Sequence, residues 1–402
     1  MRNIFHVGIS YQLLHIPRRR FALSLFYFQI LCAPAAFSQR SFTSFGAMTD
    51  GTLGYRATGL GFIPAGSSPP GIVVLAAEQP SLRVYELNPV GKLIHTQSIK
   101  TQHTYRATRF YLANDGTPGF TGLSSDGNTL SVVNINSKEE KDYKLPGTIG
   151  QFIMADINRD KQTDVLLFGK NSAGIATLIG QGNGTFKAGP TLFPEVSFSD
   201  LSVRDINGDG IPDVLALDWL GNQLSIFYQI GRLIFSEQVS VPLPGEPSQL
   251  SVLPIGAEQN FRLAISFPEL QQLQVYAGNS LGDYRLTATI ACGPHSSGLE
   301  FTSLNGDEFP DLVTSSDLGI EVTLGTSPAS FSQPAVFGVS TSIASWSIAD
   351  LDEDGKKDCV ILDKTSSRLI ALANSDASGK IEWPSEYCVG VGPEGIVIAD
   401  LD

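Results

Sequence analysis

Asp205-Ile206-Asn207-Gly208-Asp209-Gly210-Ile211-Pro212-Asp213 places side-chain oxygens at positions 1, 3, 5 and 9 of a nine-residue loop. Position 7, Ile211, adds a backbone carbonyl, and glycine at position 6 permits the sharp reversal that turns these oxygens inward. Carboxylates this close together repel one another strongly unless a counter-charge sits among them. A hard cation taking about six to eight oxygens matches the supply, so calcium is the expected partner. Apolar runs of strand character flank the loop on both sides.

The pattern recurs along the chain. Asp156, Asn158, Asp160, Gln162 and Asp164 repeat it, with Lys161 in the glycine position. Asp350, Asp352, Asp354, Lys356 and Asp358 repeat it with Gly355 at the turn. At Ser303 the first carboxylate is lost, so Asn305, Asp307 and Asp311 are expected to bind a cation weakly or not at all. An EF-hand needs a glutamate at position 12 and helical flanks. Position 12 is Leu167, Ala216 or Ile361 in the three full loops, which excludes that reading.

The loop starts at Asp156, Asp205, Ser303, Asp350 and Asp400 lie 49, 98, 47 and 50 residues apart, and the large gap is twice 49. A degenerate copy therefore belongs at Pro254, where Ser251-Val252-Leu253-Pro254-Ile255 echoes Ser202-Val203-Arg204-Asp205-Ile206. Two weaker copies fit upstream, near Tyr111 and near Ile63. Aromatic residues mark the register 30 residues past the loop start at Phe186, Phe235 and Tyr284, each after a glycine-bearing turn. Each unit thus reads as strand, acidic loop, strand, strand, glycine turn, strand. The expected fold is an all-β propeller of four-stranded antiparallel blades. Seven complete intervals make seven blades, or eight if the last repeat, which breaks off in Asp400-Leu401-Asp402, completes a blade. Residues 39–402 are read as this propeller, truncated at its C-terminal end.

Residues 1–38 read as a cleaved export signal. Arg18, Arg19 and Arg20 precede an apolar run from Phe21 to Leu31, too short to span a bilayer, and small residues follow. Its removal leaves 23 basic against 40 acidic residues, a net charge of −17 in place of −13. A surface that acidic repels phosphate backbones, so nucleic acid is not an expected partner. No later segment is long and apolar enough for a membrane span. Cys292, Cys359 and Cys388 show no metal-ligand spacing, and Cys359 is placed in the core.

These loops, with the hairpin ending Gly182-Asn183-Gly184-Thr185-Phe186, resemble the FG-GAP/VCBS repeat family, related to the propeller repeats of integrin α-subunits. The similarity is clear over residues 150–402, and the upstream copies fit by spacing alone. The resemblance implies a propeller, often seven-bladed, holding calcium between the first two strands of some blades. It also implies extracellular recognition, adhesion or scaffolding.

No catalytic set emerges. His95, His103 and His295 occupy unrelated repeat positions and read as solvated surface residues. Gly278-Asn279-Ser280-Leu281-Gly282 matches a hydrolase elbow, but strand-like Tyr284-Arg285-Leu286 follows where a helix is required. The expected function is a secreted, extracellular or cell-surface binding, adhesion or scaffold module for a glycan or protein, met by the rim or by the face away from the acidic loops. The alternative is a calcium-dependent polysaccharide-degrading enzyme of lyase-like propeller build, or a non-catalytic part of one.

Overall fold

In the computed structural model the described residues are 57–388, except 64–70, 77–79, 88–92, 113–117, 256–259, 280–282, 339, 341, 350–356, 364–367, 373 and 375–384. The export signal, the Asp400 repeat and the loop residues Asp350, Asp352, Asp354 and Lys356 lie outside them. No helix among the described residues is long and apolar enough to cross a membrane.

Each repeat among the described residues folds as a four-stranded antiparallel sheet with the strands in chain order. The blade built from Phe198–Arg204, Asp213–Asp218, Gln223–Phe227 and Val239–Pro242 shows the plan. Its first two strands pair from Phe198↔Asp218 to Arg204↔Asp213, so the acidic loop is the hairpin that joins them. The degenerate copy at Pro254 is a complete blade too, from Gln249–Ile255 to Tyr284–Ala291. The strand at Tyr284 also removes the hydrolase-elbow reading. In two blades the glycine turn is a small hairpin of its own, Gln229–Gly231 with Ile234–Phe235 and Gly325–Ser327 with Ser330–Phe331.

First strands of neighbouring sheets adjoin one another: Phe198–Arg204 meets Gln249–Ile255, which meets Ser297–Thr302, which meets Ile343–Ala349. They are therefore the inner strands of the array. Second strands lie between neighbouring blades, and Asp164–Phe168, Asp213–Asp218 and Asp311–Ser316 are buried along their whole length. That is why the first two are near-continuous apolar runs instead of alternating ones, while Asp311–Ser316 buries Thr314, Ser315 and Ser316 beside Leu312 and Val313; each buried Val or Leu side chain stabilises by about 1.5–3 kcal/mol.

Five hydrophobic clusters fill successive blade–blade interfaces, and together they join six blades: 105–144, 151–192, 198–242, 249–291, 297–337 and 343–388. This corrects the expected count of seven or eight. The repeat starting at Asp400 lies outside the described residues and adds no sheet to that count. A further sheet, opening with Ala57–Ile63, precedes the six, and that strand runs against Tyr105–Leu112.

The aromatic landmark proves to be a wedge against the preceding blade. Phe186 meets the Tyr143 ring edge-on at 5.9 Å, Phe235 meets Phe193 at 5.1 Å, and the Tyr284 hydroxyl is 2.9 Å from that of Tyr228. Loop position 2 packs the other way, with Ile157 and Ile206 buried in the clusters shared with the following blade. Cys359 is buried in the last interface.

Candidate metal loops and axial cleft

The loop at Asp205 is shaped by its own oxygens. Asp205 accepts from the Gly208 and Gly210 amides at 2.6 and 2.8 Å, Asn207 from the Asp209 amide at 3.0 Å, and Asp209 from the Ile211 amide at 2.7 Å. Gly208 and Gly210 have φ near 75° and 78°, the left-handed region that glycine enters without strain. The loop at Asp156 closes the same way: the Asp160 amide donates to Asp156 and to Asn158 at 3.1 and 2.9 Å, and the Gln162 amide to Asp160 at 2.9 Å. Its equivalents of the glycines, Arg159 and Lys161, are held at φ 63° and 66°. The missing glycine is thus tolerated with unchanged turn geometry, against backbone strain on the order of 1 kcal/mol or more per residue. Arg232 of the following blade lies 3.2 Å from Asp160. Positions 1, 3 and 5 are brought together in both loops.

Position 9 has a second task that spacing did not reveal. Asp213 is fully buried and accepts the Ile206 amide at 3.1 Å and the Gln229 amide, 16 residues on, at 2.9 Å. Asp164 does the same with Ile157 and Gly180, and Asp311 with Leu304 and Gly325. Asp358 accepts the Asn374 amide at 2.9 Å. Each carboxylate therefore ties the loop to the end of the third strand. Burial pushes Asp164 and Asp213 up to about 6, and the neighbouring carboxylates of their own loops add to the rise. Two side chains extend the tie across blades: Gln229 donates to the Ile157 carbonyl at 3.1 Å, and Asn374 to the Leu304 carbonyl at 2.6 Å.

The weak loop at Ser303 keeps the Asn305–Asp307 pair, with the Asp307 amide donating to Asn305 at 3.1 Å. In the Pro254 repeat, position 9 is Arg262, a buried guanidinium whose Nη1 has no hydrogen-bond partner. A fixed positive charge there excludes a bound cation, so this blade holds by packing.

The opposite ends of the inner strands carry a different surface. Two adjoining clefts of about 320 and 370 Å³ share Gln249. Arg106, Gln151, Lys170 and Asn171 line one; Glu300, Ser345 and Trp346 line the other. The Trp346 ring lies across Gly298, where a β-carbon would stand 2.3 Å from the indole nitrogen, and donates to Ser315 Oγ at 3.0 Å. The side-chain amide oxygen of Gln249, Oε1, is buried without a hydrogen-bond partner. Burial raises the Glu300 carboxyl to about 7, with Lys357 partly offsetting it. A raised carboxyl favours its neutral form in the fold, so the contribution is complete below the ordinary carboxylate range and lost as pH rises through about 7. Glu300→Gln is therefore expected to raise the neutral-pH melting temperature and flatten the decline across that window; a melting series in pH that matches wild type would refute it.

Residues 156–216 and 304–361 match the FG-GAP-like repeat. The chain carries FG-GAP-like repeats. The two matched stretches begin at or beside the loop starts Asp156 and Ser303 and end within the second strand of the following blade, Asp213–Asp218 and Asp358–Asp363. No curated protein matches the chain. Among solved structures, this FG-GAP-like propeller is similar to a Lactobacillus plantarum protein at 10% identity and TM-score 0.60, covering 78% of this chain and 93% of that one. It is similar to the Pseudomonas aeruginosa periplasmic gluconolactonase PpgL at 13% identity and TM-score 0.57, covering 85% and 98%. It is also similar to an Agrocybe aegerita lectin that recognises non-reducing terminal N-acetylglucosamine, at 14% identity and TM-score 0.54, covering 77% and 88%. Identities this low establish a shared fold.

Proposed function

We infer that this FG-GAP-like propeller is an exported binding module, clamped by calcium in its acidic loops, that takes an extracellular glycan or protein ligand at the axial face. The cleft around Gln249 carries this reading. It joins a buried, unsatisfied amide oxygen to the Trp346 indole and to side chains of both charge signs, on the face away from the loops. A sugar presents hydroxyl donors for such an acceptor and an apolar ring face for an indole. One of the similar folds is a lectin that recognises non-reducing terminal N-acetylglucosamine, which fits the preference for a glycan. In the loops, the ligand set of Asp156, Asn158, Asp160 and Asp164, and that of Asp205, Asn207, Asp209 and Asp213, suit a hard divalent ion.

A glycan array probed with the calcium-loaded chain should show binding that Gln249→Ala and Trp346→Ala remove while both variants remain folded. Binding that survives both substitutions would move the ligand off the axial cleft. Glu300 favours one second reading: a carboxyl poised near neutrality in a cleft suits general acid–base work on a polysaccharide. Glycan depolymerisation abolished by Glu300→Gln would select it.

A further inference from the structure

Away from both surfaces, the connector leading into the 105–144 blade meets that blade's outer strand, Glu140–Lys144, at three potential metal ligands. His103, Glu140 and Asp142 are each half-buried, and one donor atom from each lies within 4.8 Å of the others. Glu140 and Asp142 are two residues apart on a strand, so both side chains leave the same face. His103 Nε2 sits 2.9 Å from Asp142 Oδ2. The remaining carboxylate oxygens are held by neutral donors: the Gln102 amide and the Tyr105 hydroxyl on Glu140, both at 2.6 Å, and the Ser131 hydroxyl on Asp142 at 2.7 Å. Tyr105 reaches Glu140 because its ring crosses Gly122, where a β-carbon would stand 2.5 Å from the ring. No lysine or arginine forms an ion pair with either carboxylate among the described residues.

We propose that His103, Glu140 and Asp142 form a zinc site that fastens the connector to the outer strand of its blade. Two carboxylates and one imidazole make a mixed nitrogen–oxygen donor set, which suits zinc; calcium, a hard ion, takes oxygen ligands. Three protein ligands leave one tetrahedral position for water. The neutral donors on the carboxylates are the outer hydrogen bonds that orient ligands before the metal arrives.

The test titrates zinc into the full chain, stripped with chelator and returned to calcium, by calorimetry. One equivalent should bind in wild type and in Asp209→Ala, whose altered residue lies in an acidic loop. Binding should vanish in His103→Ala and in the isosteric Asp142→Asn, and weaken about tenfold in Tyr105→Phe, which keeps the ring and removes the outer hydrogen bond. Cobalt in place of zinc should give visible absorption that His103→Ala abolishes. Equal zinc uptake by wild type and both ligand variants would place the metal in the acidic loops and overturn the site, as would absence of uptake by wild type or displacement of the zinc by calcium.

Discussion

Stripping calcium from the chain is expected to lower its melting temperature by about 10 °C. A ligand present at about a hundred times its Kd and bound only by the folded state adds about 2.7 kcal/mol. Three full loops on separate blades, starting at Asp156, Asp205 and Asp350, act nearly independently, which makes about 8 kcal/mol together. Unfolding entropy scales with length, so for a chain of this size that sum amounts to about 10 °C. The electrostatics set the pH dependence. Without the ion, buried Asp164 and Asp213 favour their neutral forms, with values raised to about 6. Their contribution is then complete below the ordinary carboxylate range and is lost as pH rises through about 6. Calcium favours the ionised forms and reverses that slope. Calorimetric scans of loaded and stripped chain across this window check both statements. Coincident melting with and without chelator would remove the cation from the loops.

The repeat phase was legible because a loop that gathers four oxygens has little freedom in where its ligands fall. The starts at Asp205 and Ser303 accordingly follow directly on the strands Phe198–Arg204 and Ser297–Thr302. The Pro254 blade was legible by spacing although its chemistry had gone. What spacing could not show is whatever depends on residues brought together by stacking. Gln249 and Trp346 line one cleft from positions almost a hundred residues apart. His103 read as a solvated surface residue because Glu140 and Asp142 lie nearly forty residues on, across the width of the blade. Arg262 stands where four other repeats keep a carboxylate, Asp164, Asp213, Asp311 and Asp358, and that contrast is written in the sequence.

Asp213→Ala should destabilise the chain even when no calcium is present, and this separates the buried clamp from the cation. The side chain holds the Ile206 and Gln229 amides, both removed from water, one in the acidic loop and one just past the third strand. A buried donor left without a partner costs about 1–3 kcal/mol, so two cost about 2–6 kcal/mol, and alanine supplies no replacement oxygen. Asp209 differs. Its partners, the Ile211 amide and the Asn207 side chain, are exposed, and water takes over when the carboxylate is lost. In chelator, Asp209→Ala should therefore leave stability nearly unchanged, since it also removes a charge that disfavours ionised Asp213. In calcium, both variants lose the ion from one loop, and Asp213→Ala loses the clamp as well. Urea unfolding of the two variants, each with and without chelator, resolves these contributions. If Asp213→Ala in chelator is as stable as wild type, position 9 acts through the metal alone. A deficit confined to Asp213→Ala would mark the carboxylate as a structural member of the blade that the cation site shares.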